Sequence, residues 1–209
     1  MNKIQNSFYV IGLCLILNAC VHESIEAVST GPYNFNPMKT TVSWTAYKYT
    51  SKLGVSGDLP DIIFKPSIKS VEDQKDIKNI LTDFQFESEP NLIKGEATSL
   101  RNQNIQTYFF NKLSSKKISA KVLSIKSTNT EGGLLSLELI FNGVKKIYDA
   151  NYSIIDNTIE LRCHLELADF DAMNALNALH DQVGDLHQGP DGIPMTWPDV
   201  DILVVSELD

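Results

Sequence analysis

The side chains able to do chemistry are few and scattered. Four histidines are present: His22, His164, His180 and His187. His180 and His187 stand seven apart in a stretch of helical period, so they share nearly one face, with Asp181 and Asp185 beside them. Two imidazoles on one face begin a zinc-type site, but such a site needs a third ligand converging from elsewhere. Without that ligand the same residues read as a solvated helix face. Asp199 and Asp201 lie two apart, on one side of a final strand. A carboxylate pair does acid–base work when one member is desolvated; facing outward it is only charged surface. His164 alternates with Glu160, Arg162 and Glu166 in an outward row, and Cys163 belongs to the opposite, apolar row with no cation neighbour. That is the setting of a small buried hydrophobe, not of a nucleophile. The chain has no G-x-S-x-G, H-E-x-x-H, C-x-x-C or glycine-rich phosphate loop. No catalytic residue, metal ligand or cofactor is assigned, and the chain is expected not to be an enzyme.

Charge narrows the partners. The 209 residues include 26 acidic and 18 basic ones, for a net charge of −8. Such a balance suits neither nucleic acid nor an anionic membrane surface. The first residues have the form of an export signal: Lys3, then the short apolar run FYVIGLCLIL, then LNAC. Leu17, Ala19 and Cys20 resemble a bacterial lipobox, which implies cleavage before Cys20 and lipid on that cysteine. Residues 1–19 are thus expected to be a lipoprotein signal peptide and 20–40 a tether. The protein would sit in the bacterial cell envelope, on the periplasmic side or at the cell surface, held to the membrane through its lipid. Of three cysteines, Cys14 would leave with the signal and Cys20 would carry lipid. Only Cys163 remains, so the mature domain has no internal disulfide and depends on its core.

The elements that must form that core are mostly strands. Val42, Trp44 and Ala46 share one face of the first, while Thr45, Tyr47 and Tyr49 share the other. Gly54 and Gly57 read as bends. Asp61–Phe64 starts a second strand, Ser70–Leu81 a short helix capped by Ser70, and FQFES another strand. Asn104–Leu113 is a helical turn rich in aromatics, and Lys117–Lys126 alternates. The clearest signal follows: Leu135, Leu137, Leu139 and Phe141 on one face, the two-residue turn Asn142-Gly143, then Tyr148, Ala150, Tyr152 and Ile154 together. Asp156-Asn157 turns the chain into TIELRCHLELA, making a three-strand meander. Asp169 or Asp171 caps a helix to about His187, and VDILVVS is the last strand. The sum is an all-β domain over 41–209 with peripheral helices, closed as an eight-stranded antiparallel barrel, which removes exposed edges and leaves room for one small ligand.

Four stretches resemble the YceI-like family: VSWTAYKYTSKLGVSGDL, ATSLRNQNIQTYFFNKL, NGVKKIYDANYSIIDNTIELRCHLELADFDAMNAL and LHQGPDGIPMTWPDVDILVVSEL. The chain departs at Asn104-Ile105-Gln106, where an Arg-Asp pair is common in that family. The resemblance implies a lipocalin-like barrel around a polyisoprenoid lipid. On the residues alone the large apolar groups are either plain core or ligand wall. The resemblance moves them towards a lining made by Trp44, Phe84, Phe86, Phe109, Phe110, Leu137, Leu139, Phe141, Tyr148, Tyr152, Leu161, Cys163, Leu165 and Trp197. The expected ligand is an isoprenoid lipid or isoprenoid quinone. The rival reading is an envelope interaction module with a filled core that binds a protein partner; either leaves a homodimer open.

Overall fold

The computed structural model describes residues 33–66, 76–92, 99–127 and 131–209. The expectations for the signal segment, for Cys20 and for the start of the 70–81 helix therefore lie outside the described residues. Nine strands form one antiparallel sheet: β1 (Phe35–Lys48), β2 (Leu53–Asp58), β3 (Ile62–Lys65), β4 (Gln85–Ser88), β5 (Ile118–Ser127), β6 (Gly132–Phe141), β7 (Val144–Ile155), β8 (Thr158–Glu166) and β9 (Thr196–Leu208). Their order in the sheet is β2-β1-β9-β8-β7-β6-β5-β4-β3. Short helices α1 (Ile77–Leu81), α2 (Leu100–Asn104) and α3 (Met173–Val183) lie outside the sheet.

Nine strands replace the expected eight because the two glycines do not break the chain. Gly54 and Gly57 sit inside β2. Gly57 lies directly opposite Trp44, where an added Cβ would come within 2.7 Å of the indole. The missing side chain lets the ring lie across the strand. The sheet also begins earlier than expected. β1 starts at Phe35, Tyr33 is buried, and Asn34 exchanges backbone hydrogen bonds of 2.8 and 2.9 Å with Asp209. The last residues assigned to a tether are therefore part of the fold.

The outermost strands β2 and β3 are consecutive in sequence, separated only by residues 59–61. Four Cα steps span at most about 14 Å. The edges of a nine-stranded sheet meet within that distance only if the sheet curls round on itself. The joining residues are stitched to both flanks: Leu59 N–H donates to the Val42 carbonyl (2.8 Å) and Ser88 Oγ to the Pro60 carbonyl (2.7 Å). Among the described residues β2 and β3 form no ladder with each other. The result is a curled, lipocalin-like half-barrel whose seam is closed by the chain itself.

The meander has its expected register. Phe141 pairs with Val144 across Asn142-Gly143, and both turn residues take positive φ (52° and 80°), the geometry of a tight hairpin turn. Ile155 pairs with Thr158 across Asp156-Asn157. Asn142 does more than turn: buried, it accepts from Ser114 N–H (2.6 Å) and donates to the carbonyls of Phe170 (2.9 Å) and Asp171 (3.1 Å). It ties the hairpin to the segments on either side.

The helices differ from expectation at their starts. Asp76 caps α1 by accepting from Lys78 N–H (2.9 Å). α3 begins at Met173 with no side-chain cap, because Asp171 takes a left-handed φ of 52° and Asp169 accepts from the Tyr148 hydroxyl instead. A 3-10 turn (Leu167–Phe170) precedes α3 and another (Gly184–His187) follows it. α2 runs into a π-helical turn (Ile105–Phe109).

Candidate functional site

The inner face of the curled sheet is apolar along every long strand, and α2 and α3 cover one end. Opposite that end Phe35 packs edge-on against Phe64 and Phe84, which are tilted on each other, with ring centroids 4.8 to 6.0 Å apart. Ile80 and Leu81 of α1 lie buried with them in the same core cluster. At the covered end, Phe109 and Phe110 from α2's continuation meet Leu167, Ala175 and Leu176. Between these two plugs the centre is hollow. A cavity of about 510 Å³ runs through it, walled almost wholly by carbon. That size lies inside the range of roughly 300–1,000 Å³ usual for small-molecule sites. A filled core, the premise of the rival reading, is not what the side chains build.

Trp44, Phe84, Phe86, Phe109, Phe110, Leu137, Leu139, Phe141, Leu161, Cys163, Leu165 and Trp197 all line this cavity. Tyr148 and Tyr152 do not. Both point to the inner face of β7, but Tyr152 is buried within the core cluster. Tyr148 stacks on Phe170 (5.7 Å, 15° between planes) and donates its hydroxyl to Asp169. Burial, with the Asp169 carboxylate adding to it, pushes the Tyr148 phenol up to about 12. The 3-10 turn before α3 fills that part of the interior, so alternation along β7 reports the inner side and not the wall of the hollow.

Sequence reasoning passed over the polar lining. Extending the row Val42, Trp44, Ala46 by one step reaches Lys48, which also faces the cavity, and Arg101, Thr196 and His187 join it. Leu100 (66% exposed) and Leu186 (62% exposed) face both cavity and solvent, marking the mouth between α2 and the turn after α3. Arg101 Nη1 donates to the Ser56 carbonyl (3.0 Å), holding α2 on the edge of β2. Gln106, in the π-helical turn, makes ordered contacts. It is buried, accepts from Leu92 N–H (2.8 Å) and donates to Asn111 Oδ1 (3.2 Å).

The chemical candidates resolve into structural roles. His180 and His187 do not form a solvated face: both place Nδ1 on Thr196 Oγ1, at 3.0 and 2.6 Å. Burial, then the nearby Lys48 charge, lowers the His187 pKa. Asp199 faces outward yet is only 4% exposed, covered by Lys52, whose ammonium it accepts. Lys52 also lies over the Trp197 ring, 4.5 Å from its centroid. Asp201 accepts from Tyr47 and contacts His164 Nδ1 (2.6 Å). Burial would raise Asp201, but those hydrogen bonds prevail and hold its carboxyl low. The same bonds raise His164 and push Tyr47 up to about 12. These groups brace the outside of β1, β8 and β9. Cys163, buried, has its thiol pushed up to about 11 by desolvation. Among the described residues no group of three or more histidine, cysteine or carboxylate side chains is placed to hold a metal ion.

No family model and no curated protein matches the chain. Solved structures do match in fold. BcnA of Burkholderia cenocepacia aligns over 84% of this chain and 99% of its own, at 9% identity and a TM-score of 0.57. A Campylobacter jejuni YCEI protein aligns over 72% of this chain and 81% of its own, at 12% identity and a TM-score of 0.43. At 9% identity the likeness to BcnA is one of fold alone.

Proposed function

We propose that this protein is a non-enzymatic lipid carrier that holds a long isoprenoid or isoprenoid quinone inside its half-barrel. On this reading the chain is a bacterial lipoprotein, anchored through Cys20, and it stores, shields or moves the lipid in the cell envelope. The observation that carries the reading is the cavity: about 510 Å³, walled almost wholly by carbon, with a solvent-exposed mouth rimmed by Leu100 and Leu186.

Magnitudes say why such a site needs no ligand motif. Each buried methylene contributes about 0.8 kcal/mol relative to water, so one isoprene unit contributes roughly 3 to 4 kcal/mol before costs. Eight units would exceed the practical ceiling of about 20 kcal/mol for non-covalent affinity. Water is thus the wrong reference. The competitor is the bilayer, where the chain is already dry. Exchange between bilayer and barrel is near balance, which permits both loading and release.

Mass spectrometry of solvent extracts from the purified, natively exported protein tests this. A prenyl lipid in stoichiometric amount is the expected result. Repeated recovery of bulk phospholipid alone, or of nothing, refutes the proposal.

A further inference from the structure

Two more exposed aliphatic side chains stand beside Leu100 and Leu186. Leu53 pairs with Lys48 at the end of β2; it is the next inward position after the cavity residue Val55 and is half-exposed. Ile193, also half-exposed, lies in the loop that joins His187 to Thr196, both of which line the cavity. That loop is pinned in place: Met195 N–H donates to the His187 carbonyl and Tyr49 N–H to the Met195 carbonyl, each at 3.1 Å. Leucines and isoleucine from β2, α2, the turn after α3 and the next loop thus gather at one end. The surface they make is continuous with the carbon-walled interior. Charges on these segments cancel. Within residues 48–53, 100–104 and 184–199, Lys48, Lys52 and Arg101 stand against Asp185, Asp191 and Asp199. The opposite end is built differently: Lys39 bridges Glu207 and Asp209 at 3.0 and 2.6 Å on the surface beside the start of β1. An apolar rim without net charge suits the headgroup layer of a zwitterionic bilayer, where buried apolar area alone drives binding.

The reach of the chain fits the same partner. On the reading that Cys20 carries lipid, thirteen residue steps separate it from Tyr33, at most about 47 Å of backbone. β1 covers at most about 43 Å from Phe35 to Lys48. Strands in a closed sheet lean by about 40°, so the far end stands about 33 Å from the mouth along the axis. The linking chain is long enough for the barrel to stand mouth-down on the bilayer that holds it.

We propose that this end of the protein docks on the bilayer holding its own anchor, with Leu53, Leu100, Leu186 and Ile193 in the zwitterionic headgroup layer. This rests on the reading of the protein as an anchored prenyl-lipid carrier and names the surface from which it loads. Docked in this way, the mouth opens into the bilayer, and a prenyl chain enters without crossing water.

The experiment places the lipidated protein in dilute phosphatidylcholine vesicles with a fluorescent prenyl lipid. Loading is read by energy transfer from Trp44 and Trp197, which line the cavity. Leu53 and Ile193 are exposed and line no part of it. Leu53→Glu combined with Ile193→Glu is expected to slow loading about tenfold or more, with unchanged affinity for the probe in detergent solution. Removing residues 23–30 leaves five residue steps, at most about 18 Å, too short to bring the mouth down. That chain should not load from its own vesicle and should load normally in detergent. A fluorophore on Ile193→Cys should be quenched by phospholipid spin-labelled near its headgroup. One on Asn151→Cys, exposed on the outer face of β7, should not be. Undiminished loading by the double variant, or equal quenching at positions 193 and 151, overturns the docking surface. Full loading by the shortened chain assigns the mouth to another bilayer or to a protein acceptor and overturns the proposal while leaving the carrier reading in place. Failure of the unaltered protein to take up the probe even in detergent overturns both readings.

Discussion

Ala46→Phe is the substitution that most directly separates a hollow barrel from a filled one. Ala46 faces inward on β1, between Trp44 and Lys48 and opposite Val55 and Val200. In a close-packed interior the added ring would cost about 1–3 kcal/mol through strain. Here it enters a void, and burying a phenylalanine side chain contributes roughly 1.5–3 kcal/mol, part of which is offset by its lost rotamer freedom. Urea denaturation should therefore give an unchanged or slightly higher midpoint with the same slope. The ring is about as large as one isoprene unit and takes that unit's place. Prenyl-lipid affinity should fall by up to roughly 3 to 4 kcal/mol on a water reference, two to three orders of magnitude. The fall is smaller if the tail shifts towards the mouth. Tryptophan fluorescence titration and chemical denaturation on the same preparation measure both quantities. A variant destabilised by 2 kcal/mol or more that still binds prenyl lipid at full affinity would refute the idea that the space between the two aromatic plugs is empty and is the binding site.

Phe84→Ala removes the ring that packs edge-on against Phe35 and tilted against Phe64 at the far plug, and should cost about 3–5 kcal/mol in urea denaturation. Its combination with a longer prenyl chain should recover part of that loss, since the slot is lengthened. Asn142→Ala deletes three hydrogen bonds and puts a Cβ residue without amide at φ 52°, for an expected loss of about 2–4 kcal/mol. Asn142→Gly, which relieves the backbone, should recover only the conformational part. His164 is raised by Asp201, so its contribution is fully present below the unfolded histidine pKa and is lost as pH climbs through the higher folded value. The pair is largely exposed and screened, so the loss is about 0.2–1 kcal/mol. His164→Gln should flatten thermal stability across that window, and an unchanged slope would count against the pairing. Cys163, buried and pushed up to about 11, should resist a thiol reagent at pH 8 until the barrel unfolds; fast modification of folded protein would contradict its place in the wall.

The meander was legible because tight turns and period-two alternation both fix register, and β6, β7 and β8 carry both signals without interruption. The inner faces of β1, β8 and β9 followed from the same alternation. What the sequence hid was of three kinds. Gly54 and Gly57 carry the usual mark of a break, and only the indole of Trp44, across the ladder, shows why β2 needs a glycine at 57. Tyr148 alternates correctly, but whether an inward side chain meets open space or packed core depends on what the segment before α3 brings to it. Asp199 and the two late histidines looked solvated because their cover, Lys52 and Thr196, comes from other elements. The mouth was hidden for the same reason: Lys48, Arg101 and His187 converge from β1, α2 and the turn after α3, with no spacing in common.

Residues 59–61 make the circumference of this half-barrel depend on one intact stretch of peptide. A single proteolytic nick there would sever the covalent clasp while leaving eight strand pairings untouched. The freed borders would offer unsatisfied amides and carbonyls to a second molecule, the starting point for strand exchange between copies.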